Sequence, residues 1–135
     1  MYVIFLDIDG VMNCHRTTTR HNHFIGIDPF MVVLLDRILQ ATKAKVVLSS
    51  TWRLDKSSRE EVRRRVVEFI DVTPQLLRNL QTGGFIKAED ADVTQGGFGS
   101  VARGYEIQDW LDRHPEVEKY AILDDDPNML ERFIS

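Results

Sequence analysis

An α/β fold with a parallel, three-layer sheet is what this sequence predicts, on three observations. Short apolar runs recur at Tyr2 to Leu6, Lys45 to Leu48 and Tyr120 to Leu123. Segments with helical spacing separate them, and alternation of this kind feeds parallel strands through helical crossovers. Each run ends in chemically active side chains, and parallel sheets gather such strand ends at one carboxyl edge.

The elements follow in order. Tyr2 to Leu6 is the first strand, and a polar loop from Asn13 to Gly26 comes after it. Asp28 and Pro29 open a helix through Ala41, because an aspartate satisfies orphan N–H groups and proline fits the first turn. The second strand is Lys45 to Leu48. Ser58 to Glu68 reads as a helix, with Ser57 and Ser58 close enough to cap it, and Phe69 to Val72 as a short third strand. Gln75 to Ala102 holds Gly83, Gly84, Gly96, Gly97 and Gly99 and reads as loop with one hairpin. Ile107, Trp110 and Leu111 then recur at helical spacing before the last strand.

Composition bounds the function. A chain of 135 residues with 43% hydrophobic content supports one domain with a real core, not two. The lone Cys14 excludes an intrachain disulfide and points to a reducing, cytoplasmic setting. The N-terminal apolar run is short, carries Asp7 and lacks a basic leader, so it does not read as a signal peptide. No segment approaches the ~20 apolar residues of a membrane span. A net charge of -4 gives no hint of nucleic-acid binding by itself. His15, His21 and His23 share one polar loop with no cysteine or acid at ligand spacing, which suits a mobile solvated loop better than a zinc site.

The strand ends carry the chemistry. Asp7 and Asp9 share a face of the first strand, where two like charges strain each other unless a cation or proton intervenes. Gly10 lets the chain turn out at that point. The last strand ends in Asp124, Asp125 and Asp126, of which Asp126 reads mainly as a cap for the segment beginning at Pro127. If the first and last strands are neighbours, both clusters emerge together and share one hard cation such as Mg2+. Ser49, Ser50 and Thr51 end the middle strand, where a hydroxyl can donate to a phosphoryl oxygen or cap the next helix. Arg103 precedes the amphipathic stretch and could neutralise a phosphoryl group, although its own neighbourhood also suits an ordinary surface arginine.

In this order the four elements resemble the haloacid dehalogenase (HAD) superfamily of phosphohydrolases. Leu48 to Arg53, Arg103 to Leu111 and Ile122 to Asp126 narrow the likeness to the small HAD domains of Swiss Army Knife RNA-repair proteins. The resemblance implies a Rossmann-like sheet, with residues 1–135 a single domain lacking the further strand and helix usual after the last cluster. It makes Asp7 the nucleophile and Asp9 the general acid and base, the latter calling for a raised pKa relative to Asp7. It assigns Mg2+ to Asp7, the Asp9 carbonyl and Asp124 or Asp125. The phosphoryl group falls to Ser49 or Ser50, with Thr51 and Arg103. The spacing to Trp52 favours Ser50, whereas strand phase could favour Ser49.

The short stretch between Val11 and the first helix leaves no room for a large cap, so the site is expected to admit bulky substrates. Phosphorylated nucleic-acid ends and nucleotides are candidates, and a small phosphorylated metabolite is the alternative. Arg16 and Arg20, with Arg53, Lys56, Arg59, Arg63, Arg64 and Arg65, would make a positive mouth if they line it. Glutamates at helical spacing favour a solvated helix face instead. A non-catalytic phosphate-recognition module is the competing class. A receiver-like phosphoacceptor fails on the order of motifs. Oligomeric state is not legible.

Overall fold

The computed structural model describes residues 1–125, so Asp126 and the segment read as starting at Pro127 lie outside the described residues. The chain divides into two compact units, residues 1–72 with 115–125, and residues 73–114.

In the first unit a parallel sheet is built from β1 (Tyr2–Leu6), β4 (Lys45–Leu48), β5 (Asp71–Val72) and β9 (Lys119–Leu123). Its order is β5-β4-β1-β9. The chain leaves β1 for β4 on one side and returns as β9 on the other. The carboxyl ends of β1 and β9 therefore lie at the switch in strand order, where open α/β sheets bind ligands. Leu6 pairs with Leu48 and with Leu123, which brings three chemically active strand ends level.

α1 (Pro29–Thr42) starts as the sequence predicts, with the Asp28 carboxylate accepting from the Phe30 N–H at 2.9 Å. It ends on Lys43 in the left-handed region, whose N–H closes on Leu39 O. Leu35 is its buried residue, and Met31, Val32 and Leu39 pack half-buried on the core of Leu6, Ile8, Val46 and Leu48.

α2 (Lys56–Arg65) differs at both ends from the predicted Ser58 to Glu68. Its cap is Asp55, whose carboxylate accepts from the Ser58 N–H at 3.0 Å, so the serines lie inside the first turn rather than before it. After Arg65 the chain turns out of the helix, which puts Val66, Val67 and Phe69 on the core. The third strand shrinks to Asp71–Val72.

The segment from Asn13 to Gly26, read as a mobile loop, instead holds an antiparallel hairpin of β2 (Arg20–His21) and β3 (Phe24–Ile25). Asn22 and His23 take positive φ at its tip, 48° and 71°.

The second unit also exceeds its prediction. The glycine-rich segment forms a three-stranded antiparallel sheet, β7-β6-β8, from β6 (Leu76–Asn79), β7 (Phe85–Lys87) and β8 (Phe98–Ser100). α3 (Arg103–Asp112) follows with Ile107 and Trp110 buried, as their spacing requires. Its buried Glu106 carboxylate accepts from the Leu76 N–H at 2.7 Å and so joins helix to sheet.

Candidate active site

Asp7 is the first residue beyond β1, and its side chain is buried. Its N–H donates to Leu123 O at 2.9 Å, while the Ser49 N–H donates to Leu6 O at 3.0 Å. The three strand ends are thus fastened to one another by backbone alone. Asp7, Asp124 and Asp125 each offer a carboxylate oxygen within 4.8 Å of the others. That donor set is all oxygen and anionic, which fits a hard divalent cation and not a thiophilic one.

Gly10 makes the convergence possible. Its φ is +83°, and a Cβ there would lie 1.8 Å from Asp125 Oδ2. Any other residue would be strained by its backbone and would also displace the carboxylate.

Asp9 is exposed and held apart from the three acids by its own partners. Its Oδ1 accepts from Trp52 Nε1 and from Asn13 Nδ2, each at 3.2 Å. Asn13 is buried and accepts in turn from the Gly10 N–H at 3.0 Å, while its amide also donates to Gly26 O at 2.9 Å.

The two serines separate by what they bond. Ser50 caps the short 3-10 helix Thr51–Leu54, its Oγ accepting from the Trp52 N–H at 3.1 Å. Ser49 is wholly buried, and its Oγ has no hydrogen-bond partner among the described residues. A buried hydroxyl left so costs about 1–3 kcal/mol, a disposition that suits a ligand better than a core. Thr51, next in the chain after Ser50, is exposed. Arg103 lies in the second unit as the first residue of α3.

Arg53 does not belong to a basic mouth. It is buried, and its guanidinium donates to Ser49 O at 3.2 Å and Ser50 O at 2.8 Å, bracing the turn after β4. Arg63 pairs with Glu68 and lies over the Phe69 ring, whereas Arg64 and Arg65 both bond Glu61. The helix takes the ion-paired form its spacing favours.

His21 has the acidic partner that local spacing could not show. Its Nδ1 lies 3.2 Å from Glu61 Oε2, and its ring stacks on Trp52 with centroids 5.2 Å apart. Burial pushes the Glu61 carboxyl up, but the hydrogen bonds and charges of Arg64 and Arg65 outweigh it and hold the group below its usual value. No histidine joins a metal-ligand cluster among the described residues.

A cavity of about 730 Å³ opens over this array, lined by Asp9, Asn13, His21, Phe24, Trp52 and Asp125 among others. The description of the family that matches residues 3–134 is "HAD domain in Swiss Army Knife RNA repair proteins". The chain belongs to this family. HAD domains are generally hydrolases of the phosphatase kind, and the parallel sheet with its acidic switch point is the corresponding fold. Among curated proteins and solved structures nothing matches the chain. No helix among the described residues is long and apolar enough to cross a membrane.

Sequence reasoning gave no site role to Asn13 or Glu61 in this HAD domain, read His21 as part of a solvated loop, and used Trp52 only as a spacing mark. The one signal for Trp52 was its place two residues beyond Ser50.

Proposed function

We propose that this HAD domain is a Mg2+-dependent phosphohydrolase that works through an aspartyl-phosphate on Asp7. The observation that carries the reading is the convergence of Asp7, Asp124 and Asp125 beside a fourth carboxylate, Asp9, whose hydrogen bonds are independent of them. A simple phosphate binder has no use for a carboxylate held at the cavity wall with one oxygen turned to its own donors.

Asp7, the Asp9 carbonyl and Asp124 or Asp125 would hold Mg2+, which when bound supplies positive charge between nucleophile and phosphate. In the first half, an Asp7 oxygen bonds to phosphorus as the ester P–O bond breaks. Asp9 gives its proton to the departing alcohol oxygen. In the second, Asp9 takes a proton from water as the water oxygen bonds to phosphorus and the Asp7–phosphorus bond breaks. Alcohol and inorganic phosphate leave, with Asp9 reprotonated for the next cycle.

Ser49 is the stronger candidate to donate to a phosphoryl oxygen, because its buried hydroxyl has no hydrogen-bond partner among the described residues. Ser50, although it accepts from Trp52, keeps its O–H free to donate. Thr51 lies on the cavity wall beside them, and the family resemblance assigns Arg103, a planar and permanently charged group, to the same phosphoryl oxygens.

Phosphorylated nucleic-acid ends are the proposed substrate class. The family description names RNA repair, and the part of the β2–β3 hairpin that lines the cavity, His21, Phe24 and Ile25, is a short element rather than a cap domain. The single exposed Cys14 accords with a reducing, cytoplasmic setting. The test is a screen of phosphate release, with and without Mg2+, over 3'- and 5'-phosphorylated oligonucleotides, nucleotides and sugar phosphates. Mg2+-dependent release fastest from oligonucleotide ends is expected. Preference for a sugar phosphate would move the substrate to a small metabolite. Binding of phosphorylated ends with no release from any substrate would make the domain a recognition module.

A further inference from the structure

We propose that Trp52 is a positioning residue for Asp9, kept in place by the β2–β3 hairpin through His21. The inference rests on the acid and base role of Asp9 proposed above.

Trp52 does two things at once. Its ring belongs to the hydrophobic core, while its Nε1–H leaves the core to meet Asp9 Oδ1 at 3.2 Å. A tryptophan needed only for packing would be equally served by an indole turned to any other acceptor. Asp9 Oδ1 takes a second hydrogen bond from Asn13 Nδ2, whereas Oδ2 has no hydrogen-bond partner among the described residues. Two neutral donors on one oxygen fix the rotation of the carboxylate and leave the other oxygen for the proton that must reach the leaving group. Proton transfer depends on that aim, since donor and acceptor must stand within hydrogen-bond reach.

Two contacts hold Trp52 in turn. Ser50 Oγ holds the Trp52 backbone N–H at 3.1 Å, and the His21 ring lies against its face at an angle of 26°. His21 is held from the far side by Glu61 at 3.2 Å and has Ser58 Oγ 3.4 Å from Nε2. The hairpin therefore reaches Asp9 by two routes. His21 on β2 acts through Trp52, and Gly26, just beyond β3, acts through Asn13. A loop whose role was only to cover the cavity would need neither.

The experiment compares wild type with Trp52→Phe, which keeps an aromatic ring and loses the N–H. Leaving-group release is followed in a single turnover with Mg2+, on an alkyl phosphate, whose alkoxide needs a proton, and on 4-nitrophenyl phosphate, whose phenolate needs none. Loss of one neutral hydrogen bond of about 1–1.5 kcal/mol predicts that the alkyl-to-aryl rate ratio falls roughly 10-fold. His21→Ala should lower it in the same direction. If Trp52→Phe folds poorly, the benzothiophene isostere placed at that position alone keeps the bicyclic shape without the N–H.

A readout independent of turnover is the indole N–H resonance in the metal-free protein. Asp9→Asn should move the Trp52 signal and leave that of Trp110, the other tryptophan, in place. An active wild type whose variants lose alkyl and aryl release equally would overturn the positioning role and leave the phosphatase standing, as would a Trp52 resonance indifferent to Asp9. A wild type that releases neither leaving group would instead overturn the phosphatase reading itself.

Discussion

Gly10 lies against the Asp125 carboxylate, and it shows how little space the site allows. Positive φ at a non-glycine residue costs of order 1–3 kcal/mol where the surroundings enforce it. Gly10→Ala adds to that a methyl group where Asp125 Oδ2 now lies. The variant should therefore melt at a lower temperature and bind Mg2+ about 10-fold or more weakly, since the donors fix coordination geometry. Thermal unfolding and calorimetric Mg2+ titration check both. Unchanged Mg2+ affinity would mean that Asp125 is not a ligand.

At this scale the sequence shows what is contiguous and hides what is not. Asp7, Asp9, Asp124 and Asp125 stand out because acids clustered at a strand end are hard to rationalise by packing. The Trp52 to Asp9 bond spans 43 positions and the His21 to Glu61 pair spans the hairpin and α1, so no local spacing marks either. Arg53 misleads for the opposite reason. It sits in a run of cations that suggests a mouth, yet its guanidinium is turned inward to carbonyl oxygens.

Among the elements, the β2–β3 hairpin was hidden by its own brevity. Each strand is two residues long, too short for alternation to register, and the turn is Asn22–His23 instead of the Asn-Gly pair that marks such hairpins. Both tip residues nonetheless take positive φ, which asparagine and histidine adopt more often than most residues, yet at a steric cost that glycine does not carry. His23→Gly should relieve that strain and stabilise the domain by about 0.5–1 kcal/mol, after the entropy glycine adds to the unfolded chain. The measurement is the melting temperature, expected to rise by a few degrees. A fall would show that the His23 side chain holds the tip by a contact worth more than the strain.

The β7-β6-β8 sheet was read only as far as one hairpin, because glycines at 83, 84, 96, 97 and 99 mark turns without saying which of the short runs between them pair. The start of α2 turned on chemistry the sequence does contain. Asp55 takes the cap ahead of two nearby serines because its carboxylate reaches both the Ser58 N–H and the Ser58 hydroxyl. A charged acceptor makes the stronger bond.

For the whole molecule, alternation of strand and helix was enough to place the sheet, and one condition remained for the site. The acidic clusters share a cation only if β1 and β9 are neighbours, and they are, in register from Tyr2 opposite Lys119 to Leu6 opposite Leu123. The choice between Ser49 and Ser50 could not be made from spacing. The proposed preference for Ser49 rests on contacts that spacing does not carry: the 3-10 helix takes Ser50 Oγ as its cap, while Ser49 Oγ has no hydrogen-bond partner among the described residues.

The most direct measurement is phosphate release by wild type and by Asp7→Asn, with Mg2+ present and the fold of each checked by circular dichroism and melting. Asparagine keeps the shape of Asp7 and loses the charged oxygen that attacks phosphorus. Wild type should turn over and form a stable adduct with beryllofluoride and Mg2+, and folded Asp7→Asn should do neither. A folded Asp7→Asn that releases phosphate at the wild-type rate would contradict the aspartyl-phosphate mechanism outright.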